Sequence, residues 1–112
     1  MGSARIQLRQ GVRFTLATIR RYTEREHGLE QARKYLAGFR KTFERLDRFP
    51  RSSPRLEPGS DLRVALYGLH RILYRELSDG IAIELVIHQS QDLPSGIEGL
   101  PVDTPPDEPA SG

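Results

Sequence analysis

The sequence contains no cysteine among its 112 residues. It therefore has no thiol for a disulfide framework, for nucleophilic catalysis or for thiolate ligation of a metal. No apolar run approaches the roughly 18 residues of a membrane-spanning helix, and no secretory hydrophobic segment follows Met1. These absences predict a protein of the cytoplasm that makes no contact with a membrane.

Several common signatures of chemistry are also missing. The sequence has no phosphate-binding glycine loop, no dinucleotide fingerprint, and no grouping of His, Asp and Glu at metal-ligand spacing. His27 and His70 are isolated histidines that belong to no such grouping. We therefore predict neither a cofactor nor a metal site.

Lysine and arginine are absent after Leu93, where the acids are Glu98, Asp103, Asp107 and Glu108. All 17 basic residues and the other 11 of the 15 acidic residues precede this point, which gives that part a formal charge of +6. A basic domain favours an acidic partner, either a protein surface or a nucleic acid. We predict a folded domain of residues 1–93 and a Pro- and acid-rich tail of residues 94–112 that is disordered in isolation.

Three stretches alternate in the manner of consecutive antiparallel strands: Asp61–Leu66, Leu69–Arg75 and Gly80–His88. Alternation places every second side chain on the same face of a sheet. The apolar face is predicted to carry Leu62, Val64, Leu66, Ile81, Ile83, Leu85 and Ile87. The opposite face is predicted to carry Arg71, Arg75, Glu84 and His88. A short edge strand is predicted at Arg5–Arg9.

Two helices are predicted between the first strand and the other three. Apolar residues recur at helical spacing in Gly11–His27 and in Leu29–Phe49. Gly28 is predicted to end the first helix in a left-handed conformation, and Pro50 ends the second. The helix hairpin is the natural cover for the apolar face of the sheet, and Phe39, Phe43, Ile83 and Leu85 are expected to dominate stability. The fold class is α+β, with two layers in the order β-α-α-β-β-β.

Several stretches in this order carry a family resemblance that covers roughly Arg5 to Asp92. They include residues 19–23, 28–36, 43–46 and 49–50, then Leu62-Arg63, His70-Arg71-Ile72-Leu73-Tyr74-Arg75, and Ile81–His88. Together they resemble the RelE/ParE superfamily of type II toxin–antitoxin toxins, and the ParE branch most. The resemblance implies a helix hairpin packed on an antiparallel sheet.

The resemblance also implies a function. It suggests a plasmid-stabilisation toxin that arrests growth and is neutralised by a cognate ParD-like antitoxin, with operator DNA contacted only through that antitoxin. ParE-like toxins bind and inhibit DNA gyrase, whereas RelE-like relatives cut mRNA in the ribosome. Fold alone does not separate these activities, so mRNA cleavage stays open as the alternative.

Four residues are candidates for target binding: Arg63, Arg71, Arg75 and His88. An arginine patch binds acidic surfaces through its planar donor forks, although solvated strand arginines are equally consistent with the pattern. If the protein is a nuclease, Arg71 and His88 are the candidate catalytic residues, with His88 as the base; otherwise His88 is a hydrogen-bonded residue at a strand end. The segment from His88 to Asp92 has no Lys or Arg, and no tyrosine follows Tyr74, which departs from the RelE pattern and favours binding over cleavage.

Overall fold

The computed structural model describes residues 5–92. Its elements are β1 Ile6–Leu8, α1 Gln10–His27, α2 Leu29–Arg48, β2 Leu62–Tyr67, β3 His70–Leu77 and β4 Gly80–His88. The predicted α+β class and the order β-α-α-β-β-β are confirmed. The predicted tail of residues 94–112 lies outside the described residues.

The four strands form one sheet in the order β1-β4-β3-β2. The three consecutive strands are antiparallel, as expected, but β1 lies parallel to β4, so that the sheet is mixed. Hairpin turns fix only the relative directions of β2, β3 and β4, whereas the helix pair sets the direction of β1. This pairing is close, since a Cβ on Gly80 would overlap the carbonyl oxygen of Arg5.

The helices are joined by Gly28 alone. Its φ of 92° is one that glycine adopts readily, and its N–H donates to the carbonyl of Glu24 at 2.8 Å. Gly28 is thus the C-terminal cap of α1 with a φ in the left-handed region, as predicted, and its ψ of 164° is extended. With this backbone conformation at Gly28, α2 begins at the next residue and packs against α1.

The main core lies between the helices and the sheet. It contains Val12, Ile19, Phe39, Phe43, Leu46, Ala65, Ile72, Tyr74, Ile81, Ile83 and Val86. Full burial of a Phe or Leu side chain contributes roughly 1.5–3 kcal/mol, and three of the four residues expected to dominate stability lie in this core. Tyr74 is fully buried, and its hydroxyl donates to the carbonyl of Pro50 at 2.8 Å.

A β-bulge on β4 changes which side chains face the helices. Tyr74 pairs with Ile83, but Leu73 pairs with Leu85, so Glu84 is an extra residue. Because one inserted residue reverses the alternation beyond it, Val86 turns to the main core. Leu85 and Ile87 turn to the other face, where the sequence had not placed them.

The outer face of the sheet, which we define as the face turned away from the helices, has an apolar cluster of its own. Leu62 and Leu73 are buried there, with Leu56, Val64 and Leu85 packed against them. The side chains of β2 are therefore the reverse of the prediction, with Ala65 and Tyr67 facing the helices. The loop before β2 pairs with its edge, through Leu56 N to Leu62 O at 2.8 Å and Val64 N to Pro54 O at 3.0 Å.

Candidate functional site

Arg71 lies on the outer face, in a row that crosses three strands. Leu66 on β2 and Ile87 on β4 are its direct neighbours in the register. Leu66 is 68% exposed, and Arg71 is partly exposed. Arg71 forms no hydrogen bond or ion pair with any other residue between Arg5 and Asp92. Its guanidinium therefore has aliphatic residues as register neighbours on both sides and unused hydrogen-bond donors within the described part of the chain.

Arg75 lies on the same face of β3 as Arg71, but its guanidinium is hydrogen-bonded to other side chains of the protein. Its Nε donates to Glu84 Oε2 at 2.9 Å, and its Nη1 donates to Asp61 Oδ2 at 2.7 Å. Glu84 also accepts two bonds from Arg9, at 3.0 and 3.1 Å. The expectation that Arg75 is free on an open basic face is therefore wrong, because the bulge aims the Glu84 carboxylate at it.

Arg63 lies on the helix side of the sheet, where it pairs with Tyr74 in the register. Its guanidinium donates to the carbonyl of Ser53 at 2.8 Å. It lines an open cleft together with Arg51, Arg55, Asp61, Glu76, Leu77 and Ser78. The structure therefore does not bring Arg63 together with Arg71.

His88 also lies on the helix side, contrary to its predicted place beside the arginines. The bulge turns it toward its register partner His70, and the two ring centroids are 5.4 Å apart. His70 in turn contacts the rings of Tyr35 and Phe39, with centroids 5.7 and 5.6 Å away. We call this group, with Tyr67, the aromatic–histidine cluster: Tyr35, Phe39, Tyr67, His70 and His88.

Each imidazole has a hydrogen-bond partner at its Nδ1 atom. The hydroxyl of Tyr35 lies 2.7 Å from His70 Nδ1 and accepts from the N–H of Leu69 at 3.0 Å. The N–H of Ser90 donates to His88 Nδ1 at 3.1 Å. A ring nitrogen that accepts a hydrogen bond carries no proton. The Nδ1 atom of His88 is therefore the acceptor of the Ser90 bond.

Burial lowers the pKa of His70 from 6.5 to about 4, because a charged imidazole is poorly solvated here and because His88 is adjacent. The pKa of the Tyr67 hydroxyl is raised, first by burial and then by the nearby Tyr35. The Tyr67 hydroxyl donates to the backbone carbonyl of Tyr35 at 2.8 Å. The shifted pKa values of His70 and Tyr67 therefore keep these two side chains uncharged near neutral pH, which suits packing better than proton transfer.

Comparison with known families decides the class of the protein. Residues 6–93 match the family described as "ParE toxin of type II toxin-antitoxin system, parDE". The protein belongs to this family of toxins. A comparison with curated proteins gives no match.

The family match confirms the resemblance that the sequence suggested. This ParE-family toxin is the toxin component of a type II toxin–antitoxin system, and the family implies an antitoxin as its partner. No helix in residues 5–92 is long and apolar enough to cross a membrane. Within the same range, no three His, Asp or Glu side chains are grouped as metal ligands.

Tyr35 of α2 is not among the residues that the sequence suggested for the site of this ParE-family toxin, yet it contacts His70 and Tyr67. The one sequence feature that could have pointed to this contact is Gly38, a glycine inside the predicted second helix. A Cβ on Gly38 would overlap the Tyr67 hydroxyl, and one on Gly68 would overlap the Tyr35 ring. Glycine at these two positions lets the two tyrosines reach the cluster.

The pH dependence of stability tests the burial of His70. The unfolded chain binds this proton near pH 6.5, whereas the folded toxin binds it only near pH 4. The unfolded state therefore holds more protons between these values, and stability is lost as the pH falls through this window. We expect a loss of about 1–2 kcal/mol, less than the whole shift would give because the ring is partly exposed.

Urea unfolding of the wild type and of His70→Gln, at about pH 7 and about pH 4.5, measures this loss. His70→Gln should lose less stability over the window than the wild type, because it lacks the titrating ring. His27→Gln, at the exposed end of α1, is the matched control and should behave as the wild type does. Equal losses of stability in His70→Gln and in the wild type would contradict the lowered pKa of His70 in the folded toxin.

Proposed function

We propose that this ParE-family toxin inhibits DNA gyrase by binding it, with Arg71 at the centre of the contact surface. The observation that carries the proposal is the family match over residues 6–93, together with a partly exposed arginine that has no partner within the described residues. ParE-like toxins act on gyrase, and an unpaired guanidinium is available for a carboxylate of a partner.

The surroundings of Arg71 support protein binding. Leu66 and Leu69 are 68% and 54% exposed, so apolar surface lies beside the charge. Protein interfaces commonly combine an arginine anchor with apolar neighbours that exclude water around it. Arg75, Arg63 and His88 are secondary candidates, because each is already held by other groups of the protein.

The same geometry argues against RNA cleavage as the mechanism. A ribonuclease needs a base and a cation on the same phosphate. Arg71 and His88 lie on opposite faces of the sheet, and His88 Nδ1 already accepts from Ser90. The sequence also lacks a tyrosine after Tyr74. The two residues named for a ribosome-dependent nuclease are therefore poorly arranged for that work.

For neutralisation, we propose that the antitoxin covers α1 and the edge strand β1. Phe14 and Tyr22 are 48% and 55% exposed on α1, and β1 has only one neighbouring strand. An amphipathic helix could bury the two rings, and an extended segment could pair with the free edge of β1. The toxin would then reach operator DNA only through its antitoxin.

Arg71→Glu should weaken the inhibition of gyrase at least about tenfold. Loss of an interface arginine typically costs about 2 kcal/mol, and an acid in its place adds repulsion. Stability should change by less than about 1 kcal/mol, because Arg71 has no hydrogen bond or ion pair to lose within residues 5–92. A supercoiling assay with purified gyrase, alongside thermal unfolding, measures both effects.

Arg40→Glu is the matched control, since it makes the same charge change at an exposed position on the helix layer. It should leave the inhibition near that of the wild type. If the wild type does not inhibit supercoiling at concentrations well above that of gyrase, the proposed function is wrong. Primer extension that shows cut transcripts after induction would instead establish mRNA cleavage.

A further inference from the structure

The outer face has a binding surface that nothing in residues 5–92 occupies. Its centre is Arg71, without an internal partner, and its flanks are Leu66 and Ile87 in the same row. Leu69 continues the apolar surface at the β2–β3 turn, where it is 54% exposed. A ligand for this surface needs a carboxylate near apolar side chains.

The chain itself supplies a segment of that chemistry. Twenty residues of the sequence follow Asp92, and they contain Ile97, Leu100 and Val102 among four acids and no basic residue. The part before them carries a formal charge of +6, from 17 basic and 11 acidic residues. The two parts therefore attract each other over the distances at which charges act in physiological salt.

The chain leaves the sheet beside this surface. β4 ends at His88, opposite His70, one row from Arg71. The N–H of Gln89 then donates to the carbonyl of Leu69 at 2.7 Å, which holds the exit against the β2–β3 turn. An extended residue spans about 3.3 Å, so Glu98 lies within roughly 20 Å of chain from Asp92. That length suffices to return along the outer face past Arg71.

We propose that residues 93–112 dock on the outer face of their own chain, with a carboxylate on Arg71 and apolar side chains on Leu66 and Ile87. The docking does not depend on the identity of the toxin's target. The docking also gives the acidic segment a role as a competitor, because a macromolecule that binds Arg71 must first displace this segment. Exposed ion pairs are weak, and such a segment is accordingly easy to displace.

Because the chain has no cysteine, Thr104→Cys gives a single site for a nitroxide label in the full chain. Methyl resonances of Leu66, Leu69 and Ile87 should broaden in NMR spectra of the labelled protein. The exposed methyl groups of Ala17 and Ala37, on the helix layer, should stay sharp. Uniform broadening, or broadening of Ala17 and Ala37 alone, would overturn the proposal.

Two variants in the labelled protein test the contacts. Arg71→Gln should lower the docked population about two- to fivefold, the effect of losing one exposed ion pair, and Arg40→Gln should not change it. Unchanged broadening in Arg71→Gln would remove the arginine from the proposal and overturn it. Broadening of isotope-labelled chains mixed with separate spin-labelled chains would identify a second copy as the occupant, which also overturns it.

Discussion

Phe39→Ala should destabilise the toxin by about 3–5 kcal/mol, the range for removing a buried phenylalanine. Phe39 is 1% exposed. Its ring contacts four others, with centroids 5.4 Å away at Tyr35, 6.0 Å at Phe43, 4.7 Å at Tyr67 and 5.6 Å at His70. The substitution therefore removes apolar burial and leaves a cavity between the helices and the sheet. In a domain of this size, each kcal/mol lowers the melting temperature by roughly 4–8 °C.

Phe14→Ala is the matched control, because it deletes the same ring from a position that is 48% exposed on α1. It should cost less than about 1 kcal/mol. A second measurement follows His70 by NMR titration in the folded Phe39→Ala protein, where loss of the cover should raise its pKa from about 4 toward 6.5. Equal destabilisation by the two variants, or an unmoved His70 titration, would show that Phe39 does not organise the cluster.

Glu84→Gln should destabilise the toxin by about 2–4 kcal/mol. The Glu84 side chain is 11% exposed and forms ion pairs with two guanidinium groups, those of Arg9 and Arg75. Removing one partner of a buried ion pair leaves an uncompensated charge at a cost of about 3–5 kcal/mol. The expected value is lower because the arginine side chains are 32% and 26% exposed and can gain water.

Glu76→Gln makes the same change in an ion pair at the surface. Glu76 lies 3.0 Å from Arg51, and their side chains are 38% and 77% exposed. Such pairs contribute about 0–1 kcal/mol, so urea unfolding should separate the two variants clearly. Similar losses for both would mean that Glu84 is solvated and that its shared carboxylate does not stabilise the bulge.

Much of the fold follows from local patterns. Helical spacing in the first half, Gly28 and Pro50 at the helix ends, and alternation in β2 and β3 were enough to predict six elements in the right order. His70 and Tyr74 lie on the same face of β3, as alternation requires, because the extra residue of the bulge is on β4. The family resemblance rested on these same segments.

The candidate site was less predictable because its geometry depends on one residue. Leu85, Val86 and Ile87 are all apolar, so alternation cannot tell which of them faces the helices. The bulge at Glu84 decides it, and it moves His88 away from Arg71. The prediction that Arg75 is free fails for a similar reason. Its ion-pair partners Asp61 and Glu84 lie on other segments of the chain and come close to it only in the folded sheet.

The sequence by itself determined the element order, the basic charge of residues 5–92, the acidic segment after Leu93 and the family to which the chain belongs. The element order and the charges depend on periodicity and composition, which are local and additive, whereas the family follows from the match over residues 6–93. Only the tertiary structure decided that Arg71 has no hydrogen-bond or ion-pair partner within residues 5–92, whereas Arg63, Arg75 and His88 each have one. Strand register and ion pairing join residues as far apart as Arg9 and Glu84, and no local pattern specifies such contacts.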